Sequence, residues 1–200
     1  MSDARVRSRE RILKATAAVA AERGYDGTTI SEITRRSGLS ASSVYWHFTD
    51  KDDLYAEALT YAFTSWLATQ PPRDPLPEGV DLLEGVRRIV RPALEALADP
   101  PDYVRMGTML LLESEHHRTR AYLRYSEIRA GIHQMIHEWF TRELDPRLLH
   151  SSPQLPDQMA RLIPAYFDGA MISRQAGRDW DPGRALETFM VLVETAIAKA

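Results

Sequence analysis

The chain has 200 residues, 44% of them hydrophobic, with no cysteine and a formal net charge of −3 at pH 7. That length supports one core of ordinary size or a small module joined to a larger one, and the lack of cysteine excludes disulfides, thiolate metal sites and a cysteine nucleophile. The charged opening MSDARVRSRERILKA has no apolar signal region, and no apolar run nears the roughly 18 residues a membrane span needs, so a cytoplasmic chain without a membrane partner is expected.

Apolar residues recur with a period of about 3.6 along nearly the whole chain, and no stretch keeps the strict alternation of a half-buried strand, which predicts an all-α fold. Ile12, Ala15, Thr16, Val19 and Ala20 stripe a first helix expected to end at Gly24, where glycine can take a left-handed cap. Thr29-Ile30-Ser31-Glu32 matches a capping box and opens a short second helix that stops at Ser37-Gly38. Ser40 is placed to cap a third helix bearing Val44, Tyr45 and Phe48. Thr49, followed by Lys51, Asp52 and Asp53, starts a fourth with acidic residues in its first turn. The proline-rich run Gln70 to Pro77 cannot continue it. Further helices are expected near 79–98, 101–115, 118–143, 155–176 and 182–198, with a proline-broken loop from Leu144 to Pro156.

Charge is uneven along this series. Residues 1–55 hold nine Lys or Arg against eight Asp or Glu, and the remainder holds sixteen against twenty. A slightly basic head on an acidic body suits a chain of which only the head meets nucleic acid. In that head, two short helices joined by a Gly-containing turn describe a helix-turn-helix, and a plain αα-corner is the alternative on pattern alone. Ile30, Ile33, Leu39 and Val44 would pack the pair on the first helix, leaving Ser40, Ala41, Ser42 and Ser43 outward.

Residues 9–55 closely resemble the N-terminal domain of the TetR family. The matching pieces are Arg11-Ile12-Leu13 with Ala15 and Ala18, Gly24-Tyr25, Thr28-Thr29-Ile30, Ile33 with Ser37-Gly38-Leu39-Ser40, Val44-Tyr45 with His47-Phe48, and then Lys51 and Leu54. The rest of the chain resembles the family only in length and helical layout. The resemblance implies a DNA-binding domain over residues 1–55 and a helical ligand-binding and dimerisation domain over 56–200. It further implies that Thr29, Tyr45, His47 and Lys51 hold phosphates of double-stranded DNA, contacts that set position rather than sequence. Sequence would be read by Ser40, Ala41, Ser42 and Ser43, with Tyr45 and Trp46 at the margin. The recognition helix has no Arg or Lys, so a bidentate contact to guanine cannot come from it. Help is expected from Arg35 and Arg36, and from an N-terminal arm with Arg5, Arg7 and Arg9 that either reaches a minor groove or is a disordered charged tail.

A palindromic operator read by two recognition helices requires a two-fold partner. In the family the last two long helices form that interface, which points here to Tyr166, Phe167, Ala170, Met171, Phe189 and Val193. Asp168-Gly169-Ala170 resembles a small-residue crossing, and burial in an intramolecular core is the alternative. The middle helices are rich in Met and aromatic residues, and a mostly apolar pocket for a small-molecule effector is expected, lined by Trp66, Tyr103, Met106, Met109, Leu110, Glu113, Tyr125 and Tyr166. His133 and His137 at i, i+4, with His116, His117 or Glu113, could in principle bind a metal, which is all that supports a helical hydrolase; no H-E-x-x-H, nucleophile elbow or P-loop occurs. The expected protein is therefore a regulator, most simply a repressor, needing no cofactor. A helical interaction module that no longer binds DNA is a further alternative.

Overall fold

A computed structural model describes residues 3–112, 118–177 and 179–200. Ten helices occur among them and no strand: α1 (Asp3–Gly27), α2 (Ile30–Ser37), α3 (Ala41–His47), α4 (Lys51–Leu67), α5 (Leu82–Ala96), α6 (Asp102–Leu112), α7 (Arg120–Glu143), α8 (Pro146–Ser151), α9 (Leu155–Gln175) and α10 (Pro182–Ala198). No helix among the described residues is long and apolar enough to cross a membrane.

The chain divides into two compact units, and neither is a continuous stretch. One comprises residues 1–69 with 101–128, the other 70–100 with 129–200. Helix α7 contributes to both.

In the first unit α1 is the hub, packing on α2, α3, α4 and α6. Its predicted stripe is buried, with Ile12 and Ala20 at 0% exposure. Ile33 from α2, Val44 from α3 and Leu54 from α4 close the same core, each worth about 1.5–3 kcal/mol relative to exposure. Tyr55 on α4 is fully buried and its hydroxyl donates to the Met106 carbonyl of α6. The small head is therefore not closed by its first helices alone; α6 completes it.

Caps decide several helix ends, and three differ from expectation. Gly24 breaks the regular helix as foreseen (φ 70°, ψ −172°), yet a further short turn carries α1 on to Gly27. The fourth helix is capped by Asp50 rather than Thr49. Asp50 Oδ1 accepts from Asp53 N at 2.8 Å, and Thr49 N donates back to Asp53 Oδ2 at 2.9 Å, a reciprocal box whose carboxylate accepts more strongly than a hydroxyl. The predicted loop from Leu144 to Pro156 contains α8, started by Asp145 accepting from Arg147 N with Pro146 in the first turn. Proline there is a helix starter, not a breaker.

The Thr29 box forms only half. Thr29 Oγ1 accepts from Glu32 N at 3.3 Å, while the Glu32 carboxylate turns to Arg35 and Arg23. At the far end of α2, Gly38 takes the left-handed cap at φ 68° and ψ 23°, and Arg11 donates to the Ser37 carbonyl at 2.7 Å.

In the second unit α10 packs on α5 and α9. Leu186, Phe189, Met190 and Val193 form its buried face. Arg129 pairs with Asp168 at 2.8 Å, and Arg87 pairs with Glu187.

Candidate nucleic-acid interface

Helix α3 is positioned by one buried side chain and one cap. Val44 is 1% exposed, which turns the opposite side of this seven-residue helix to solvent. Ser40, Ala41, Ser42, Tyr45 and Trp46 are exposed, and Ser43 is half-buried. Ser40 Oγ accepts from Ser43 N at 3.2 Å and lies 2.9 Å from the hydroxyls of both Ser42 and Ser43. The three hydroxyls form one small polar patch that can donate and accept.

The predicted phosphate-binding groups stand at the start of α2, on α3 and at the start of α4. Thr29 is exposed at the start of α2. The Lys51 ammonium donates to the Tyr25 carbonyl at 3.1 Å and lies 4.1 Å from the Tyr25 ring centre, so it is held rather than waving. The Tyr25 hydroxyl in turn reaches Asp52 at 3.3 Å; burial first, then the Asp52 charge, raises its pKa far above the phenolic range. His47 Nε2 lies 3.3 Å from Ser8 Oγ. Burial, and after it the charges of Arg5 and Arg9, lower its pKa below 6.5.

Arg35 and Arg36 are less available than their sequence position suggests. Arg35 forks onto Glu32 at 2.6 and 3.1 Å, and Arg36 pairs with Glu22 at 2.7 Å. Arg36 also lines an open cleft of about 300 Å³ with Arg11 and Lys14. The N-terminal arm is not a free charged tail. From Asp3 onward it is helical, and its residues lie against α3.

The residues expected to line an effector pocket are distributed over both units. Trp66, Tyr103, Met106, Met109, Leu110 and Tyr125 share the first unit, Tyr166 belongs to the second, and Glu113, His116 and His117 lie outside the described residues. Tyr103, Met106, Leu110 and Tyr125 are buried there. Phe63, absent from the residues expected on sequence grounds, completes an aromatic trio with Trp66 and Tyr103 at centroid distances of 5.1–6.2 Å. Its signal was available, three residues before Trp66 on one helix face. Tyr166 donates to the Ala185 carbonyl at 2.7 Å, and its ring lies tilted against Phe189 with centroids 5.1 Å apart. His133 pairs with Asp157, which Arg161 also holds, and no group of three residues fit for a metal occurs among the described residues.

Among the proposed dimer residues, Met171, Phe189 and Val193 are buried inside the second unit, while Tyr166, Phe167 and Ala170 are half-exposed. The outward faces carry Ile172, Val191 and Leu192, exposed by 55%, 60% and 41%.

Two short helices on a common core, the second offering a hydroxyl patch on its outer side, define a helix-turn-helix protein. Residues 12–58 match the family described as bacterial regulatory proteins, tetR family. The segment is 34% identical over 50 residues to the HTH-type transcriptional regulator AcrR of Shigella flexneri, covering 25% of this chain and 23% of that one. Matches to two other curated regulators span 32% and 28% of their lengths, so this likeness concerns the head. The whole fold is similar to a tetr-transcriptional regulator of Streptomyces avermitilis (TM-score 0.71, 24% identity, 94% of this chain and 97% of that one). It is also similar to NalD, the secondary repressor of the MexAB-OprM multidrug efflux pump in Pseudomonas aeruginosa (TM-score 0.63, 21% identity, 96% and 97%). The likeness to the tetR family is thus carried by residues 12–58, and the rest of the chain is similar to these solved structures in fold.

Proposed function

We propose that this chain is a homodimeric, ligand-responsive transcriptional regulator that represses by occupying a palindromic operator and is released by a small, mostly apolar effector. Residues 1–55 read the DNA, and residues 56–200 take up the effector and dimerise. The observation that carries this reading is the hydroxyl patch of Ser40, Ser42 and Ser43 on a helix locked from behind by Val44, in a motif that also carries Thr29, Tyr45, His47 and Lys51. Hydroxyls and the Ala41 methyl suit direct and water-mediated reading of base edges, and the surrounding donors suit phosphates. The curated relatives are transcriptional regulators, which favours this reading over a hydrolase. Repression is carried over from NalD by analogy.

Dimerisation is supported by the outward apolar residues Ile172 on α9 and Val191 and Leu192 on α10, and by Gly169 on α9, where an added Cβ would meet nothing within 4 Å. Sedimentation of wild type against Val191→Glu tests it; a wild-type monomer would remove the two-fold reading.

Selection of sites from random duplex DNA, followed by a salt titration on the winners, tests the whole. An enriched palindrome with half-sites about one helical turn apart, bound less tightly as salt rises, is expected. A folded protein that enriches nothing, with or without candidate effectors, would overturn the reading.

A further inference from the structure

Three consecutive residues at the end of the recognition helix are met by one face of α1. The Arg5 guanidinium lies 4.3 Å from the centre of the Trp46 ring, Ser8 Oγ lies 3.3 Å from His47 Nε2, and the Arg9 guanidinium lies 5.3 Å from the Phe48 ring centre. Positions 5, 8 and 9 follow the i, i+3, i+4 spacing of a single helix face. Within this row the two arginines differ. Arg9 is paired with Glu57 at 2.7 Å, whereas among the described residues no carboxylate pairs with Arg5. Trp46 is 61% exposed and lies between Tyr45 and His47 in sequence.

We propose, resting on the DNA-binding reading above, that Arg5 is a phosphate-contacting residue held in place by stacking on Trp46, and that it supplies from α1 the cation that the recognition helix lacks. A guanidinium held flat over a ring keeps its N–H groups in its own plane, parallel to the indole and directed outward past its edges, where a phosphate can accept two of them. Stacking uses none of those donors, so the side chain is oriented without being satisfied. Trp46 then acts as the platform for Arg5 rather than as a reader of bases, since one face of its ring is covered. The pKa of His47, lowered first by burial, is lowered further by the charges of Arg5 and Arg9 beside it.

The test is the slope of log affinity against log salt, measured on the selected operator and on an unrelated duplex, for wild type, Arg5→Gln, Arg5→Lys and Trp46→Ala. Arg5→Gln leaves one phosphate per protomer without its cation, two per dimer, and should lower the slope by about 1.8. Affinity should fall by the same factor on both duplexes, because phosphates carry no sequence. Arg5→Lys should keep most of the slope, and Trp46→Ala should lose part of it. Thermal melts of each variant separate a missing phosphate partner from a damaged fold. An unchanged slope for Arg5→Gln, or a weakening confined to the operator, would overturn the proposal while leaving DNA binding itself intact. A wild-type chain that binds no duplex would remove both.

Discussion

Asp52, in the first turn of α4, accepts from the backbone N–H of Arg120 at 2.7 Å and of Ala121 at 3.0 Å, and so caps the start of α7 from another helix. It also receives the Tyr25 hydroxyl at 3.3 Å and lies 3.8 Å from the Arg120 guanidinium. Its side chain is 23% exposed. Losing an N-cap carboxylate typically costs about 1 kcal/mol and at most about 2, and stranding the N–H groups it served adds a comparable amount where water reaches them poorly. Removing a negative charge from the first turn of α4 adds a few tenths more. Asp52→Ala should therefore destabilise by about 2–3 kcal/mol, which for a chain of this size lowers Tm by roughly 4–12 °C. Arg120→Ala is the control. It removes a side chain that reaches Asp50 at 2.6 Å and Asp53 at 3.4 Å but is 52% exposed, and it leaves both backbone caps in place. Screening by solvent should keep its effect under about 1 kcal/mol. Urea melts of the two variants settle the matter: an effect below about 0.5 kcal/mol for Asp52→Ala, or a larger loss for Arg120→Ala, would refute a capping role.

Gly107→Ala should destabilise despite alanine's better helix propensity, because the new Cβ would stand 2.0 Å from the Tyr125 ring, which is 2% exposed; overpacking of about 1–3 kcal/mol outweighs the propensity gain of about 1, and an unchanged melt would contradict the close approach. His47 is held neutral in the fold, so its contribution to stability is full above about pH 6.5 and falls as pH drops from there toward its lowered value; His47→Gln should flatten that part of the stability profile, and an unaltered profile would count against its burial by α1. Tyr45→Phe should weaken binding to all duplexes alike, whereas Ser42→Ala should change which duplex is preferred in a repeat selection; identical effects from the two would undo the division between positioning and reading.

The helical class, the turn at Gly38, the stripe on α1 and the outward serines of α3 were legible from the sequence because each depends on nearby residues. A 3.6 period marks which face is buried, a glycine marks where the backbone turns left-handed, and both signals survive without knowledge of the partner. The reading failed where two local options were close in energy: Asp50 displaced Thr49 as a cap, and Pro146 began a helix in a segment read as loop.

Only tertiary structure could show that α1 extends back to Asp3 and sets Arg5 against Trp46, or that Arg35 and Arg36 are already engaged by Glu32 and Glu22. It alone brought Asp52 to the start of α7, 68 residues away, and put Met171, Phe189 and Val193 inside while leaving Ile172, Val191 and Leu192 outside. An apolar stripe says that a face will be covered but not by what. Ion pairs and caps between distant residues have no period along the chain, and they come into being only when folding carries their partners together.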